Sequence, residues 1–136
     1  MSEESIKEFL NQIFSIGKSK DLNALRSIHD KTATKFNHTY PYHRMEYEEI
    51  CLYEELFFAN VSDYEYNITD LRIDIIDTDH AVATFILEQK GIIVDDYSFT
   101  GRVMQDRVRC TLVLRRDKES GRWVILHEHM SGYDMK

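Results

Sequence analysis

The stretch RVRCTLVLRRDKESGRWVILHEHMS, residues 107–131, decides the fold. Two runs of alternating apolar and polar residues flank the segment DKESG, whose composition is typical of a turn. This pattern predicts a β-hairpin with arms at about residues 102–115 and 122–131. Because side chains two positions apart on a strand leave the same face, we expect His127 and His129 to share a face with Trp123 and Ile125.

Helical periodicity dominates the first 60 residues. Apolar residues at the spacing of one buried stripe predict a first helix that ends at Gly17, and a shorter second helix follows Lys20. Residues 45–60 predict a third helix whose apolar residues cover more than one stripe, so we expect it to pack on two sides. A short strand is predicted around residues 35–38.

After Asn60 the apolar residues recur with a period of two, which is typical of strands. Their parity changes near Thr69 and Asp70, which predicts a bulge. Residues 81–89 are apolar on both faces and predict a central strand, followed by a loosely structured connection at residues 92–101. Three helices followed by about four antiparallel strands predict an α+β fold, and the absence of repeats or linkers favours one domain over residues 1–136.

Charge and hydropathy exclude several functional classes. The net charge is −7, and the arginines of the hairpin alternate between its two faces, so no basic stripe for nucleic acid is expected. No apolar run is long enough to span a bilayer, so we expect no membrane partner. The acidic N-terminus lacks the apolar segment of a signal peptide, and we therefore expect a cytoplasmic protein.

Three motifs in the second half carry a resemblance to a known family. They are DHAVAT at residues 79–84, RCT at residues 109–111 and GRWVILHEHMSG at residues 121–132. The order of elements and these motifs resemble the nuclear transport factor 2-like, or cystatin-like, superfamily, and especially its SnoaL-like branch. That branch is related to the association domain of the calcium/calmodulin-dependent protein kinases.

The resemblance implies a strongly curved antiparallel sheet of about four to six strands wrapped around the N-terminal helices. Such a sheet forms a cone with an internal pocket at its wide end. Members often form homodimers through the outer face of the sheet, so a homodimer is expected. Because this scaffold supports many activities, the resemblance alone does not select one function.

The histidine pair His127 and His129 allows three interpretations. The two rings could act as acid and base near a pocket, because histidine titrates near neutral pH. They could be two ligands of a metal, with His38 or His43 as a third. They could instead be structural and bond to neighbouring strands or to a dimer partner. We expect no metal and no cofactor.

Other candidate site residues lie in the same hairpin and around the proline. Arg109 and Thr111 share a parity, and the arginine could bind a ligand carboxylate or phosphate, or pair with Glu128. Trp123 shares the expected histidine face. Tyr40, Tyr42 and Tyr47 could line a pocket, cover the core edge or lie in a dimer seam. By resemblance to ketosteroid isomerase, His38 could replace the catalytic base, or be an ordinary loop residue.

Three functions follow from these residues. The first is binding of a modest apolar or anionic small molecule in the cone. The second is a cofactor-independent isomerase, cyclase or dehydratase that uses His38, His127 and His129 as acid or base, with Tyr40 or Arg109 stabilising charge. The third is a homo-oligomerisation module.

Overall fold

The computed structural model describes residues 3–95 and 100–132, and within them the helices precede the long strands. The elements are α1 (Glu3–Ser19), α2 (Ala24–Ile28), β1 (His29–Phe36), β2 (Met45–Glu46), α3 (Tyr47–Asn60), β3 (Val61–Asp77), β4 (His80–Asp95), β5 (Thr100–Arg116) and β6 (Trp123–Gly132). The predicted α+β order is confirmed. None of these helices is long and apolar enough to cross a bilayer.

The strands form one curved, unclosed sheet in the order β2-β1-β6-β5-β4-β3. Strands β3 to β6 are joined in sequence and pair antiparallel, as the hairpin signals predict. The sheet is mixed, however, because β1 lies parallel to β6. A short turn can join two neighbouring strands only if they run antiparallel. This constraint does not apply to β1 and β6, which are far apart in sequence.

Helix α1 lies against the concave face of this sheet and supplies much of the core. Its apolar stripe is buried, and it meets the inward side chains of β4 and β5. Phe14 packs edge-to-face on Phe85 of β4, with ring centroids 6.0 Å apart. The buried members are Ile6, Phe9, Leu10, Ile13 and Phe14 of α1, Ala81, Ala83, Phe85 and Leu87 of β4, and Leu112 and Leu114 of β5.

Gly17 does not end the first helix, which continues to Ser19. A Cβ atom at Gly17 would lie 2.2 Å from the Tyr64 ring, so the glycine is there to let β3 approach the helix. Lys20, the residue after the helix, terminates it with a left-handed backbone at φ 61°. The Lys20 ammonium donates to the carbonyls of Phe58, at 2.6 Å, and of Val61, and thereby also caps the end of α3.

Two predictions about the strands have opposite outcomes. The register of β3 against β4 shifts between Thr69 and Arg72, so the predicted bulge is confirmed. The loose connection predicted at residues 92–101 is wrong for residues 92–95 and 100–101, which continue the β4–β5 ladder; residues 96–99 lie outside the described residues. The misleading signal was Gly91, where a Cβ would lie 2.5 Å from the Val61 side chain, so it serves packing rather than a turn.

A bulge in β6 decides which side chains face the interior. Leu114 pairs with Ile125 and Val113 with His127, so Leu126 is an extra residue without a partner on β5. Before the bulge Trp123 and Ile125 are buried, and after it Glu128 is buried. The expectation that His127 and His129 share the face of Trp123 is therefore wrong, because the extra residue reverses the parity.

Candidate functional site

A cavity of about 480 Å³ lies between α3 and the concave face of the sheet. Its wall is largely apolar and includes Phe14, Phe57, Phe58, Met104 and Met130. This size lies in the range of small-molecule sites. Two clusters of polar side chains line it, one on β1, α3 and β6 and the other where the end of β1 meets β5. The rest of the polar lining consists of Asn37, Thr39, Tyr53, Asn60 and Arg102.

The first cluster, which we call the buried ion cluster, contains Lys35, Glu54, Glu128 and His29. The Lys35 ammonium lies 3.4 Å from Glu54 Oε1 and 3.3 Å from Glu128 Oε1. Glu54 Oε1 also lies 3.4 Å from His29 Nε2. All four residues are buried, and Lys35, Glu54 and Glu128 line the cavity while His29 stands behind Glu54.

Local structure brings these charges together. Lys35 and Glu128 are direct partners in the parallel β1–β6 ladder, and both face inward because of the β6 bulge. Glu54 lies one helical turn after Ile50 and one before Phe58, and therefore belongs to the buried stripe of α3. The cluster thus links three elements that are distant in sequence.

The two carboxyl groups of the cluster have opposite pKa shifts. Burial raises the pKa of Glu54, but the charges of Lys35 and His29 outweigh burial and lower it to about 2. Burial also raises the pKa of Glu128, and here the Lys35 ammonium does not compensate, because the Glu54 charge adds to the rise. Burial lowers the pKa of Lys35, but the two carboxylates raise it above its ordinary value, so the ammonium is retained.

His29 faces Glu54 with an unsatisfied nitrogen. Its Nδ1 donates to the Leu25 carbonyl at 2.7 Å, so Nδ1 carries a proton. Nε2 forms no hydrogen bond with any residue in 3–95 and 100–132. Desolvation lowers the pKa of His29, but the Glu54 carboxylate outweighs it and the pKa is raised.

The buried ion cluster also has the donor types of a metal site. One ligand atom each from His29, Glu54 and Glu128 lie within 4.8 Å of one another. However, the Lys35 ammonium already lies within 3.4 Å of both carboxylates and supplies the positive charge that a divalent cation would bring. A metal ion would have to displace Lys35, so we assign none to this cluster.

The second polar cluster consists of His38, Asp106, Gln89 and Tyr64. His38 Nε2 donates to Asp106 Oδ2 at 3.2 Å, and Gln89 Nε2 lies 3.4 Å from the same oxygen. The Tyr64 hydroxyl donates to Gln89 Oε1 at 2.8 Å. The hydrogen bond from His38 lowers the pKa of Asp106, which stays ionised and orients the ring. His38 Nδ1 is buried and has no hydrogen-bond partner in the described part of the chain.

Of the predicted histidines, only His38 lines the cavity. His127 accepts from or donates to the Thr34 hydroxyl at 2.8 Å, and both His127 and His129 pack around Phe36. They lie on the convex face of the sheet. Since the two rings and the cavity are on opposite faces, the geometry gives the pair no contact with a ligand in the cone.

The other predicted site residues also lie outside the cavity lining. Arg109 and Thr111 alternate with buried Cys110 and therefore face the convex side, away from Glu128. Trp123 is buried in the core and donates through Nε1 to the Ser5 hydroxyl at 3.2 Å. Tyr40 is 78% exposed, and the Tyr47 hydroxyl donates to the Arg26 carbonyl.

Sequence reasoning missed Lys35, Glu54, Glu128 and Asp106. Two signals pointed to some of them. Glu54 interrupts an apolar stripe at helical spacing, which marks a buried charge. Ile125 and Met130 are both buried, but they are an odd number of residues apart. On a regular strand they would point to opposite faces, so their shared burial indicates a bulge between them. No comparable signal exists for Lys35, whose inward direction depends on pairing with β6.

We expect the Glu54→Gln variant to be destabilised by about 3 to 5 kcal/mol near neutral pH, because the substitution removes the buried carboxylate that Lys35 and His29 share. The folded-state pKa of Glu54 is lowered to about 2, from an ordinary value of 4.5. Its contribution is therefore present above pH 4.5 and is lost as the pH falls towards 2. Urea unfolding of both proteins between neutral and acid pH measures the difference.

Glu55→Gln is the matched control, because Glu55 is the next residue on α3 and pairs with the exposed Arg26. Its loss is expected to stay below about 1 kcal/mol. Equal stability of the Glu54→Gln variant and the wild type at neutral pH would contradict the ionised assignment of Glu54.

Comparisons with known proteins agree with this geometry. No curated protein matches the chain. A Salmonella enterica nuclear transport factor 2-like superfamily protein superposes with a TM-score of 0.77 at 17% identity, covering 98% of this chain and 92% of its own. The association domain of Caenorhabditis elegans CaMKII gives 0.73 at 18%, covering 95% and 94%. A candidate dehydratase of Streptomyces avermitilis gives 0.78 at 17%, covering 96% of each chain. These likenesses establish the fold.

Residues 6–135 match the SnoaL-like domain, and the chain therefore belongs to the SnoaL-like family.

Proposed function

We propose that this protein binds a small molecule in its cone-shaped cavity. The observation that carries the proposal is the combination of an apolar wall with buried polar atoms that make no hydrogen bond. His38 Nδ1 and Glu128 Oε1 form no hydrogen bond within residues 3–95 and 100–132. Buried polar atoms without partners are costly, and a ligand that satisfies them recovers that cost.

The lining supports a ligand that is mainly apolar. Aromatic, aliphatic and methionine side chains supply the apolar part of the wall, and methionine adapts to irregular shapes. Tyr53 adds a hydroxyl that accepts from Asn37 Nδ2 at 2.8 Å. A compact ring system with a few oxygen substituents fits a cavity of about 480 Å³.

A neutral fluorescent probe tests the proposal. We expect N-phenyl-1-naphthylamine to bind with a single site, and Met104→Trp to weaken its affinity at least about tenfold, because the indole fills the cavity. Met104 is buried in the lining, whereas Val103 beside it is 79% exposed on the opposite face. Val103→Trp is therefore the matched control and should bind as the wild type does. Equal binding by all three proteins would place the probe elsewhere.

The second candidate function is acid–base catalysis by His38. With Nε2–H directed to Asp106, a neutral His38 has an unprotonated Nδ1 that can accept a proton. A histidine oriented by a carboxylate and in contact with a cavity is an arrangement suited to a general base. The chemistry would be proton abstraction next to a carbonyl, as an isomerase, cyclase or dehydratase requires.

Deuterium exchange tests this candidate without knowledge of the natural substrate. We expect the wild type to accelerate exchange of the methyl protons of 2-acetylnaphthalene in D₂O, followed by NMR, and His38→Gln to lower the rate about a hundredfold. His127→Gln is the control, because His127 lies on the convex face. If the exchange rate falls more in the His127→Gln variant than in His38→Gln, the catalytic role belongs to the histidines of the convex face and not to His38.

We also propose that the chain forms a homodimer through the convex face of the sheet. Half-buried apolar side chains at Val82, Ile86, Val113 and Val124 make this face suitable for a second copy. Light scattering is expected to give twice the mass of one chain, and Val113→Lys to halve it. Leu52→Lys, on the exposed side of α3, should leave the mass unchanged. A monomeric wild type would contradict the proposal.

A further inference from the structure

The solvent-exposed part of the cavity lining carries a positive charge. Arg102 and Leu56 line the cavity and are exposed, whereas Lys35 and Glu54 at its floor are buried. Arg102 and Leu56 therefore mark the open end of the cavity, which we call the rim. Lys35 already contacts two carboxylates, and Arg102 forms no ion pair or hydrogen bond with any residue in 3–95 and 100–132. Among the described lysines and arginines of the lining, Arg102 is thus the one available to a ligand.

The guanidinium of Arg102 acts on the cavity side of the sheet. Val103 is exposed on the convex face and Met104 is buried in the lining, so alternation along β5 places Arg102 and Asp106 on the face of Met104. The hydrogen bond from His38 is the main cause that lowers the pKa of Asp106, and the charge of Arg102 lowers it further. The positive charge at the rim therefore reaches into the cavity.

A second donor lies at the same rim. Asn60, the last residue of α3, lines the cavity, and its side-chain amide makes no hydrogen bond with any residue that the structure describes. The next residue, Val61, pairs with Ile93 on β4, and Ile93 pairs with Arg102 on β5. The ladder thus places Asn60 and Arg102 on the two sides of Ile93, which also lines the cavity. A guanidinium and an amide beside an apolar residue are suited to hold a carboxylate.

We propose that the rim is a subsite for the carboxylate of the ligand, which is a compact organic acid with an apolar body and a single negative charge. This inference rests on the proposed binding function and adds the class of ligand. Glu54 and Asp106 are ionised and would repel a carboxylate that lay deeper, so the apolar body enters first. One guanidinium balances one negative charge, and a dianion would be disfavoured by a protein whose net charge is −7.

A matched pair of probes tests the charge of the ligand. 2-Naphthylacetic acid and 2-naphthylacetamide have nearly the same shape, and at neutral pH only the first is an anion. We expect the wild type to bind the acid about tenfold more tightly than the amide at low salt, because hydrogen bonds between arginine and carboxylate are charge-assisted. Added salt should reduce this preference, since the rim is exposed to solvent. Isothermal titration calorimetry measures both affinities.

Three variants separate the contributions of the rim. Arg102→Gln should bind the acid about tenfold more weakly and the amide as the wild type does. Asn60→Ala should weaken the binding of both probes about threefold, because both present a carbonyl-type oxygen to the amide. Arg72→Gln is the matched control, since it removes the same charge from a side chain that is 77% exposed and lies outside the lining. It should retain the preference for the acid.

The outcomes separate this inference from the proposed function. Equal affinity of the wild type for the acid and the amide, or a preference that Arg102→Gln retains, would overturn the carboxylate subsite and leave binding in the cavity intact. If the wild type binds N-phenyl-1-naphthylamine but neither probe of the pair, the ligand class is wrong and the cavity is still a binding site. If it binds none of the three compounds, the proposed function is wrong as well.

Discussion

The structure depends on one buried ammonium, that of Lys35, held between two carboxyl groups. A lysine removed from water is tolerated only where acidic partners replace its hydration. Its partners Glu54 and Glu128 come from α3 and β6, so the charge fixes a helix and two strands relative to one another. The same contacts form the floor of the cavity, which makes the stability of the fold and the chemistry of the site inseparable.

The β6 bulge is the backbone feature that makes this arrangement possible. Without the extra residue at Leu126, the inward parity set by Ile125 would continue, and Glu128 would face the convex side. Lys35 would then be buried with a single counter-charge. Because of this one extra residue, Glu128 and Met130 face the cavity, and His127 and His129 face the convex side.

The sequence was sufficient for the fold class, the order of elements and the bulge in β3, because each depends on local periodicity. It was insufficient for the site, because Lys35 meets Glu128 across a parallel pair whose strands are some ninety residues apart. His38 was found through resemblance, but Asp106 was not, since nothing in the spacing predicts that the two meet. The predictions at Gly17 and Gly91 were wrong for the same reason. Each glycine permits close packing, and the sequence does not distinguish such a glycine from one required by a turn.

Buried ionisable groups reduce stability unless all their hydrogen bonds are made, and apolar replacements of similar volume are often tolerated as well or better. This chain nevertheless places four such groups beside its cavity and leaves His29 Nε2 and Glu128 Oε1 without hydrogen bonds among the described residues. The pairing of Lys35 with Glu54 alone would hold β1 against α3. The second carboxyl group ties β6 to the same ammonium and also lies in the cavity lining, where the proposed ligand would meet it.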